Sequence, residues 1–284
     1  VVCEHDLGLE NQVVVENTRA VYSEICANFF GNPAEKLKLI GVTGTNGKTT
    51  TTFLVKQILE NAGKKVGLIG TVQNMVCDEV YPAKYTTPDP HELQKLFSLM
   101  VNAGCAYCEV SSQALAQGRV NGLTFEIAAF SNLTQDHLDY HKTWENYFKA
   151  KRMLFEQCKT AVTNKDDKYG LEIVAGLPCK VVTYAVNNND ADYVAKNVKF
   201  KASGIEYELV SEKIGRVNCP IPGRFSVYNS LCAASIALTL GIEFEEVLGA
   251  ISKSTGVKGR IEVVPTNTDY TVIIDYAHSP DGLE

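Results

Sequence analysis

Residues 43–50 read Thr43-Gly44-Thr45-Asn46-Gly47-Lys48-Thr49-Thr50, and this stretch decides the fold. In front of it, 37–42 (Leu-Lys-Leu-Ile-Gly-Val) is a short apolar run, predicted as a buried strand. Behind it, Lys48 to Ala62 places Leu54, Val55, Ile58 and Leu59 on one helical face, with Gly63 as a stop. A glycine-rich turn between strand and helix lets successive backbone N–H groups face a polyphosphate, and the helix N-terminus adds partial positive charge. Gly44 and Gly47 avoid a Cβ where backbone must approach a ligand closely. In such a loop Lys48 bridges the β- and γ-phosphates and the Thr49 hydroxyl reaches Mg²⁺. The general pattern asks for glycine at position 42, where this chain has Val42 preceded by Gly41. The bland alternative is a glycine-rich turn with no ligand; strand, turn and helix falling where the chemistry needs them favour the loop. By itself the loop implies only a nucleoside triphosphate.

Working outward, a strand is expected at Lys65–Gly70. A second helix opens at Asp89-Pro90-His91-Glu92, with Asp89 as cap and Pro90 at the first position, and ends near Gly104. Apolar runs at 105–110, 125–130, 160–163 and 180–184 alternate with helical stretches, which predicts an α/β fold with a mostly parallel sheet covered on both faces. Between about 190 and 220 the pattern changes to short antiparallel strands (Gly204–Val210, Arg216–Cys219), read as a small accessory antiparallel sheet. Helices follow from Arg224 to Leu240 and over Phe244–Ile251. The segment 37–262 is thus expected to be one P-loop-type domain. Residues 1–36 read as the tail of something upstream, and 263–284 as the opening of another domain. The start at Val1 and the stop at Glu284 lead us to expect a piece of a longer chain.

The chain has 284 residues, 45% hydrophobic and 21% charged, the composition of an ordinary globular protein. A net charge of −6 with both signs interspersed argues against a nucleic-acid binder. No apolar run reaches the roughly 18 residues of a membrane span, and no signal peptide is evident. Nine cysteines, an odd number and scattered, fit reduced thiols in the cytoplasm. Cys105 and Cys108 form a C-x-x-C that could serve redox or zinc chemistry. With no second pair at ligand spacing, they read as small apolar residues of a buried strand.

The Gly-Thr-Asn-Gly-Lys-Thr-Thr-Thr form of the loop resembles the Mur ligase superfamily, which includes folylpolyglutamate and cyanophycin synthetases. Thr86-Thr87-Pro88-Asp89, Glu109-Val110-Ser111-Ser112 and Asn132-Leu133-Thr134-Gln135-Asp136-His137-Leu138-Asp139-Tyr140-His141 resemble, in order and spacing, one branch of it. That branch adds the third residue of the peptidoglycan stem peptide. The resemblance covers roughly 37–284 and implies that 1–36 end a UDP-binding N-terminal domain, 37–262 form the central ATP-binding domain, and 263–284 begin a C-terminal one. It implies an ATP-dependent, ADP-forming acid–amino-acid ligase that works through an acyl phosphate. Its expected substrates are UDP-N-acetylmuramoyl-L-Ala-D-Glu and an amino acid, commonly meso-diaminopimelate or L-lysine. A cytoplasmic monomer without membrane or nucleic-acid partner is expected.

The resemblance also assigns residues. Gly44, Thr45, Asn46, Gly47, Lys48, Thr49 and Thr50 would hold ATP, with Asn229, Arg260 and Asp275 matching further nucleotide-contacting positions. Thr86, Thr87, Ser111, Gln117 and Arg119 match positions that hold the UDP-muramyl substrate, and the planar fork of Arg119 suits a pyrophosphate or carboxylate. Glu109 ends an apolar strand at the carboxyl edge, where an open α/β sheet places its ligands, and a carboxylate there can hold Mg²⁺. His137 matches a residue at a second magnesium, although nitrogen is an unusual ligand for that ion. Lys151 matches a lysine carbamylated by CO₂, which turns a cation into an anion able to support Mg²⁺. Lys149 and Arg152 do not match that role.

Each of these has a plainer reading: Glu109 as a cap or solvated carboxylate, His137 as a satisfied loop histidine, and Thr86-Thr87 as a turn. Lys151 could be a solvated charge, Asn229 a helix cap, and Arg260 with Asp275 a surface pair. Gln113 departs from the branch, many of whose members have histidine there. The rival functions are another ligase of the superfamily, of cyanophycin synthetase type, and a non-catalytic nucleotide-binding module. The choice of amino acid is expected to be read beyond Glu284.

Overall fold

In the computed structural model, residues 1–103, 108–109, 112–136, 138–264, 266, 270 and 272–277 are described, with backbone alone at 108–109, 112–113 and 138. Fifteen described strands follow the chain: β1 Val2–Cys3, β2 Val13–Val14, β3 Leu39–Thr43, β4 Gly67–Leu68, β5 Asn74–Val76, β6 Glu79–Tyr81, β7 Cys108–Glu109, β8 Phe125–Phe130, β9 Cys158–Asn164, β10 Lys180–Ala185, β11 Tyr193–Lys201, β12 Gly204–Val210, β13 Ile214–Cys219, β14 Glu262–Val264 and β15 Val272–Ile274. The helices are α1 Thr18–Phe29, α2 Lys48–Asn61, α3 Pro90–Ala103, α4 Ser112–Ala116, α5 Leu138–His141, α6 Trp144–Arg152, α7 Arg224–Thr239 and α8 Phe244–Ser252.

Eight strands form the main sheet, in the order β13-β12-β11-β10-β9-β8-β3-β7. From β7 to β11 neighbouring strands pair in parallel, and β11-β12-β13 are antiparallel. The antiparallel strands expected at 190–220 therefore exist, but they extend the main sheet through the β10–β11 pairing. A separate antiparallel sheet lies instead at β4-β5-β6. It takes up the run expected as a strand at Lys65–Gly70, of which only Gly67–Leu68 pairs, with Met75 and Val76.

Side chains alternate across the sheet, and both faces are covered, as parallel sheets require. Ile40, Val42, Ile127, Ala129 and Val162 face a core built with α2, α7 and α8. Leu39, Phe125, Ala128, Phe130 and Ala161 face a second core with Leu93, Leu96, Phe97 and Met100 of α3 and Tyr147 of α6. Helix α7 is buried nearly all round, and its Ser226, Ser230 and Ser235 hydroxyls donate back to carbonyls one turn earlier, at Pro222, Ser226 and Leu231.

The order of strands positions the site. From β3 the chain goes to β7 on one side, then returns to β8 on the other, so the loop after β3 lies at a topological switch point. Open α/β sheets bind their ligands at such crevices, beyond the carboxyl ends of the strands.

Candidate functional site

The loop expected to hold phosphate connects β3 to α2, and its two glycines sit where a side chain has no room. Gly47 has φ +85°, and a Cβ there would lie 2.2 Å from Asn229 Oδ1. Gly44 has φ +149°, and its Cβ would lie 1.9 Å from Ser131 Oγ. Both backbones occupy regions that L-residues avoid. The loop is fastened from behind by the residues just after β8. Thr45 N–H donates to Asn132 O at 2.9 Å, Asn46 N–H donates to Asn132 Oδ1 at 2.9 Å, and Ser131 Oγ donates to Asn46 O at 2.6 Å. Thr45 Oγ1 accepts from Thr134 N–H at 2.9 Å and shares a hydrogen bond with the Tyr147 hydroxyl at 3.0 Å.

Two amines converge on the same peptide of this loop. Lys48 Nζ donates to Gly44 O at 3.1 Å and Thr45 O at 2.9 Å. Lys151 Nζ donates to Gly44 O at 2.7 Å and lies 4.5 Å from the centre of the Tyr147 ring. Lys151 is 1% exposed. Burial, with the positive charge of Lys48 second, pushes its pKa well below the usual lysine value, while the Asp136 carboxylate opposes the shift. Helix periodicity explains why Lys149 differs: two residues away it faces solvent, paired with Glu145 at 2.8 Å, both side chains mostly exposed. Arg152 is spent on the carbonyls of Glu172, Ile173 and Ala175.

Glu109 ends β7 directly opposite Val42, at the carboxyl edge beside the loop, as its position predicted. Its side chain, His137 and Ser111 lie outside the described residues, as do Cys105 and the His278-Ser279-Pro280 segment. Thr49 is buried in the first turn of α2 with Thr50 beside it, and Asn229 is buried on α7 against Gly47. Arg260 and Asp275 flank the β14–β15 hairpin at its start and its end. The Asp275 carboxylate accepts from the N–H groups of Ile261 at 2.7 Å and Ala277 at 2.6 Å, and Arg260 stacks on Tyr276 at 5.1 Å.

The expected substrate residues form a second cluster. Arg119 Nη1 donates to Thr87 O at 2.7 Å and Nη2 to Gln117 Oε1 at 2.6 Å. Its Nε lies 3.3 Å from Asp89 Oδ1, and its guanidinium lies over the Tyr85 ring at 4.8 Å. Thr86 Oγ1 is 3.0 Å from Thr71 Oγ1. The Asp89 carboxylate, expected to cap α3, faces the Arg119 guanidinium, and the Asp89 carbonyl accepts from Leu93 N–H at 2.9 Å. Sequence reasoning gave no site role to Ser131 or Asn132, the latter standing only inside a matching motif as Asp89 did, nor to Tyr147 or Tyr85. Polar residues immediately after an apolar strand at 125–130 were the available signal for the first two.

Residues 42–237 match the Mur ligase middle domain. The chain belongs to the Mur ligase family. Among curated relatives of this Mur ligase domain, the UDP-N-acetylmuramoyl-L-alanyl-D-glutamate--2,6-diaminopimelate ligase of Caldanaerobacter subterraneus is 49% identical over 95% of the chain. A ligase of the same name from Clostridium acetobutylicum is 47% identical over 96%. The chain spans 57% of the length of each. A solved structure of a ligase of that name matches with a TM-score of 0.86 and 32% identity, over 99% of this chain and 60% of that one. The Thermotoga maritima MurF ligase, solved with ADP, shares the fold at a TM-score of 0.73 and 17% identity, over 99% of this chain and 63% of that one.

Whether the donor set suits Mg²⁺ turns on Lys151. Two ammonium groups on one carbonyl would repel a divalent cation, and Mg²⁺ prefers oxygen. An amine pushed toward neutrality is, however, the form that reacts with CO₂, and a carbamate would supply oxygens. In that form the Lys151 oxygens and the Thr49 hydroxyl would be of the donor type a hard cation takes, and Glu109, at the end of β7, would add a carboxylate.

Proposed function

We propose that this chain is the nucleotide-binding middle of an ATP-dependent ligase that adds the third amino acid to UDP-N-acetylmuramoyl-L-Ala-D-Glu. The names of the relatives favour 2,6-diaminopimelate as the incoming amino acid over L-lysine. In this reading 1–36 close a UDP-binding domain, 37–262 carry the nucleotide, and 263–284 open the amino-acid-binding domain. The observation that carries the proposal is Lys151: a fully buried amine, disfavoured as a cation, whose Nζ reaches the Gly44 peptide of a loop shaped by Gly44 and Gly47. A structural lysine gains little from such burial; a carbamylated one has a task there.

The loop N–H groups and Lys48 hold the β- and γ-phosphates, and Asn229, packed close to Gly47, contacts the nucleotide. The γ-phosphoryl passes to the substrate's terminal carboxylate, giving an acyl phosphate and ADP. The amine of the amino acid then attacks the acyl carbon, forming the amide and releasing phosphate. Mg²⁺, when bound, neutralises charge that develops on the transferring phosphoryl group; Thr49, Glu109, His137 and carbamylated Lys151 would hold it. Lys48 adds fixed positive charge at the same place, so catalysis is positioning and electrostatics. Thr86, Thr87, Ser111, Gln117 and Arg119 hold the UDP-muramyl substrate, and Arg260 and Asp275 reach the nucleotide when the C-terminal domain closes and excludes water.

The test is ADP release by a chain extended to the full length of the relatives. Release that requires both UDP-N-acetylmuramoyl-L-Ala-D-Glu and diaminopimelate is expected. Nucleotide binding without such release would make the protein a binding module instead.

A further inference from the structure

Arg119 is held on four sides. Its Nε faces Asp89 at 3.3 Å, one N–H of each terminal nitrogen is taken by Thr87 O and Gln117 Oε1, and Tyr85 covers one face of the plane at 4.8 Å. Among the described residues each terminal nitrogen spends one of its two N–H groups on these partners, which leaves one on each. A pair of N–H groups on the two terminal nitrogens can serve two oxygens of an anion. Three of the partners hold the fork within its plane. Among the described residues the Tyr85 ring adds the contact to the guanidinium face, because an aromatic face attracts a cation placed over it, and Lys84 Nζ lies over the same ring at 5.4 Å. The Arg119 side chain is 15% exposed and Asp89 56% exposed, so the ion pair is open to solvent at Asp89.

We infer that Tyr85 is a positioning residue for the anionic substrate, acting through Arg119 by fixing the plane of its guanidinium. This rests on the proposed ligase reaction, in which Arg119 meets a pyrophosphate or carboxylate of the UDP-muramyl peptide. The ring face does the work, and the phenolic oxygen is dispensable. Neither Thr87 nor Asp89 can substitute, since Thr87 O meets a terminal nitrogen and Asp89 meets Nε. A large aromatic residue that is 43% exposed beside the substrate cluster thereby acquires a task.

The experiment uses the full-length ligase carrying these residues, with KM for UDP-N-acetylmuramoyl-L-Ala-D-Glu, KM for ATP and kcat measured for Tyr85→Ala, Tyr85→Phe and Arg119→Lys. Losing a partly exposed guanidinium–ring contact predicts a rise in peptide KM of about three- to tenfold for Tyr85→Ala. Its kcat and ATP KM should stay within about twofold, and Tyr85→Phe should match the parent enzyme. In an Arg119→Lys background, Tyr85→Ala should add no further loss, since the planar fork is already gone. An unchanged peptide KM in Tyr85→Ala would overturn the inference, as would full additivity with Arg119→Lys. Equal losses in kcat and ATP KM would also overturn it, by showing a general structural role. A parent enzyme that turns over neither substrate would instead refute the ligase reading, which keeps the two failures apart.

Discussion

Replacing Gly44 by alanine tests the loop at its tightest point. The backbone there has φ +149°, a region essentially reserved for glycine, and forcing an L-residue into it costs about 1–3 kcal/mol. The new Cβ would lie 1.9 Å from Ser131 Oγ and 3.1 Å from the N and O atoms of Asn132. The serine must therefore swing away and give up its 2.6 Å bond to Asn46 O, for roughly 1 kcal/mol more. Together about 2–4 kcal/mol are at stake. If all of that were expressed in nucleotide binding, affinity would fall roughly 30- to several-hundred-fold, less whatever the loop recovers by relaxing. Titration with a fluorescent ATP analogue reads the loss, and a melting curve checks that the fold survives. Ser131→Ala supplies the cycle. Alone it should cost about 1 kcal/mol. In the Gly44→Ala background it should cost nothing or recover part of the loss, because the bond is already broken and the obstructing atom is gone. Additive effects of the two changes would refute the packing of the loop against the end of β8.

Lys48→Ala in the full-length protein should abolish ADP release while the melting temperature holds, since the Gly44 and Thr45 carbonyls that its amine meets belong to its own loop. Lys151→Ala should lose most activity and Lys149→Ala almost none, measured in the same ADP assay; a small carboxylic acid added to Lys151→Ala is expected to restore part of the rate. The burial-lowered pKa of Lys151 also sets a pH dependence. Between its folded pKa and the unfolded value near ~10.4, the unfolded chain binds the extra proton, so stability rises with pH across that window. In CO₂-free buffer the urea midpoint of the parent should thus gain on that of Lys151→Met as pH rises within that window, and parallel midpoints would show that the lysine stays charged. The 284-residue chain alone should bind ATP weakly and form no amide, with product measured by chromatography.

The loop and helix α2 were legible because their signals are local: a short apolar run, two glycines and a lysine at the start of an amphipathic helix. The sheet was legible for a related reason, since strands buried on both faces read as continuous apolar runs such as Phe125–Phe130. Which sheet a run joins is not local information. Val66, Leu68 and Ile69 are as buried as any core strand, yet Gly67–Leu68 pairs with β5 in a separate sheet. Likewise Gly204–Cys219 carried the alternation of antiparallel strands, but nothing in it specified the β10–β11 pairing that joins them to the parallel part. At the site, Lys149 and Lys151 are indistinguishable as residue types. Only the orientation of α6, with Tyr147, Ala150 and Lys151 inward, separates them. Tyr85 and Ser131 escaped notice because their partners, Arg119 and Asn46, lie 34 and 85 positions away.

The convergence on Gly44 follows from strand order more than from any single residue. Because β3 lies between β7 and β8, the loop that leaves it is flanked by the carboxyl ends of both neighbours. One end brings Glu109 opposite Val42, and the other brings Ser131 and Asn132 against residues 43–46. Helix α6 packs on the face below and sends Lys151 up to the same carbonyl that receives Lys48. An anionic phosphate loop site needs positive charge above it, and a lysine buried beneath it would be redundant as a cation. The same lysine as an anion would balance Lys48 and the metal instead. Strand order therefore accounts for the place of Lys151, and the electrostatics of that place account for why a lysine there would be modified.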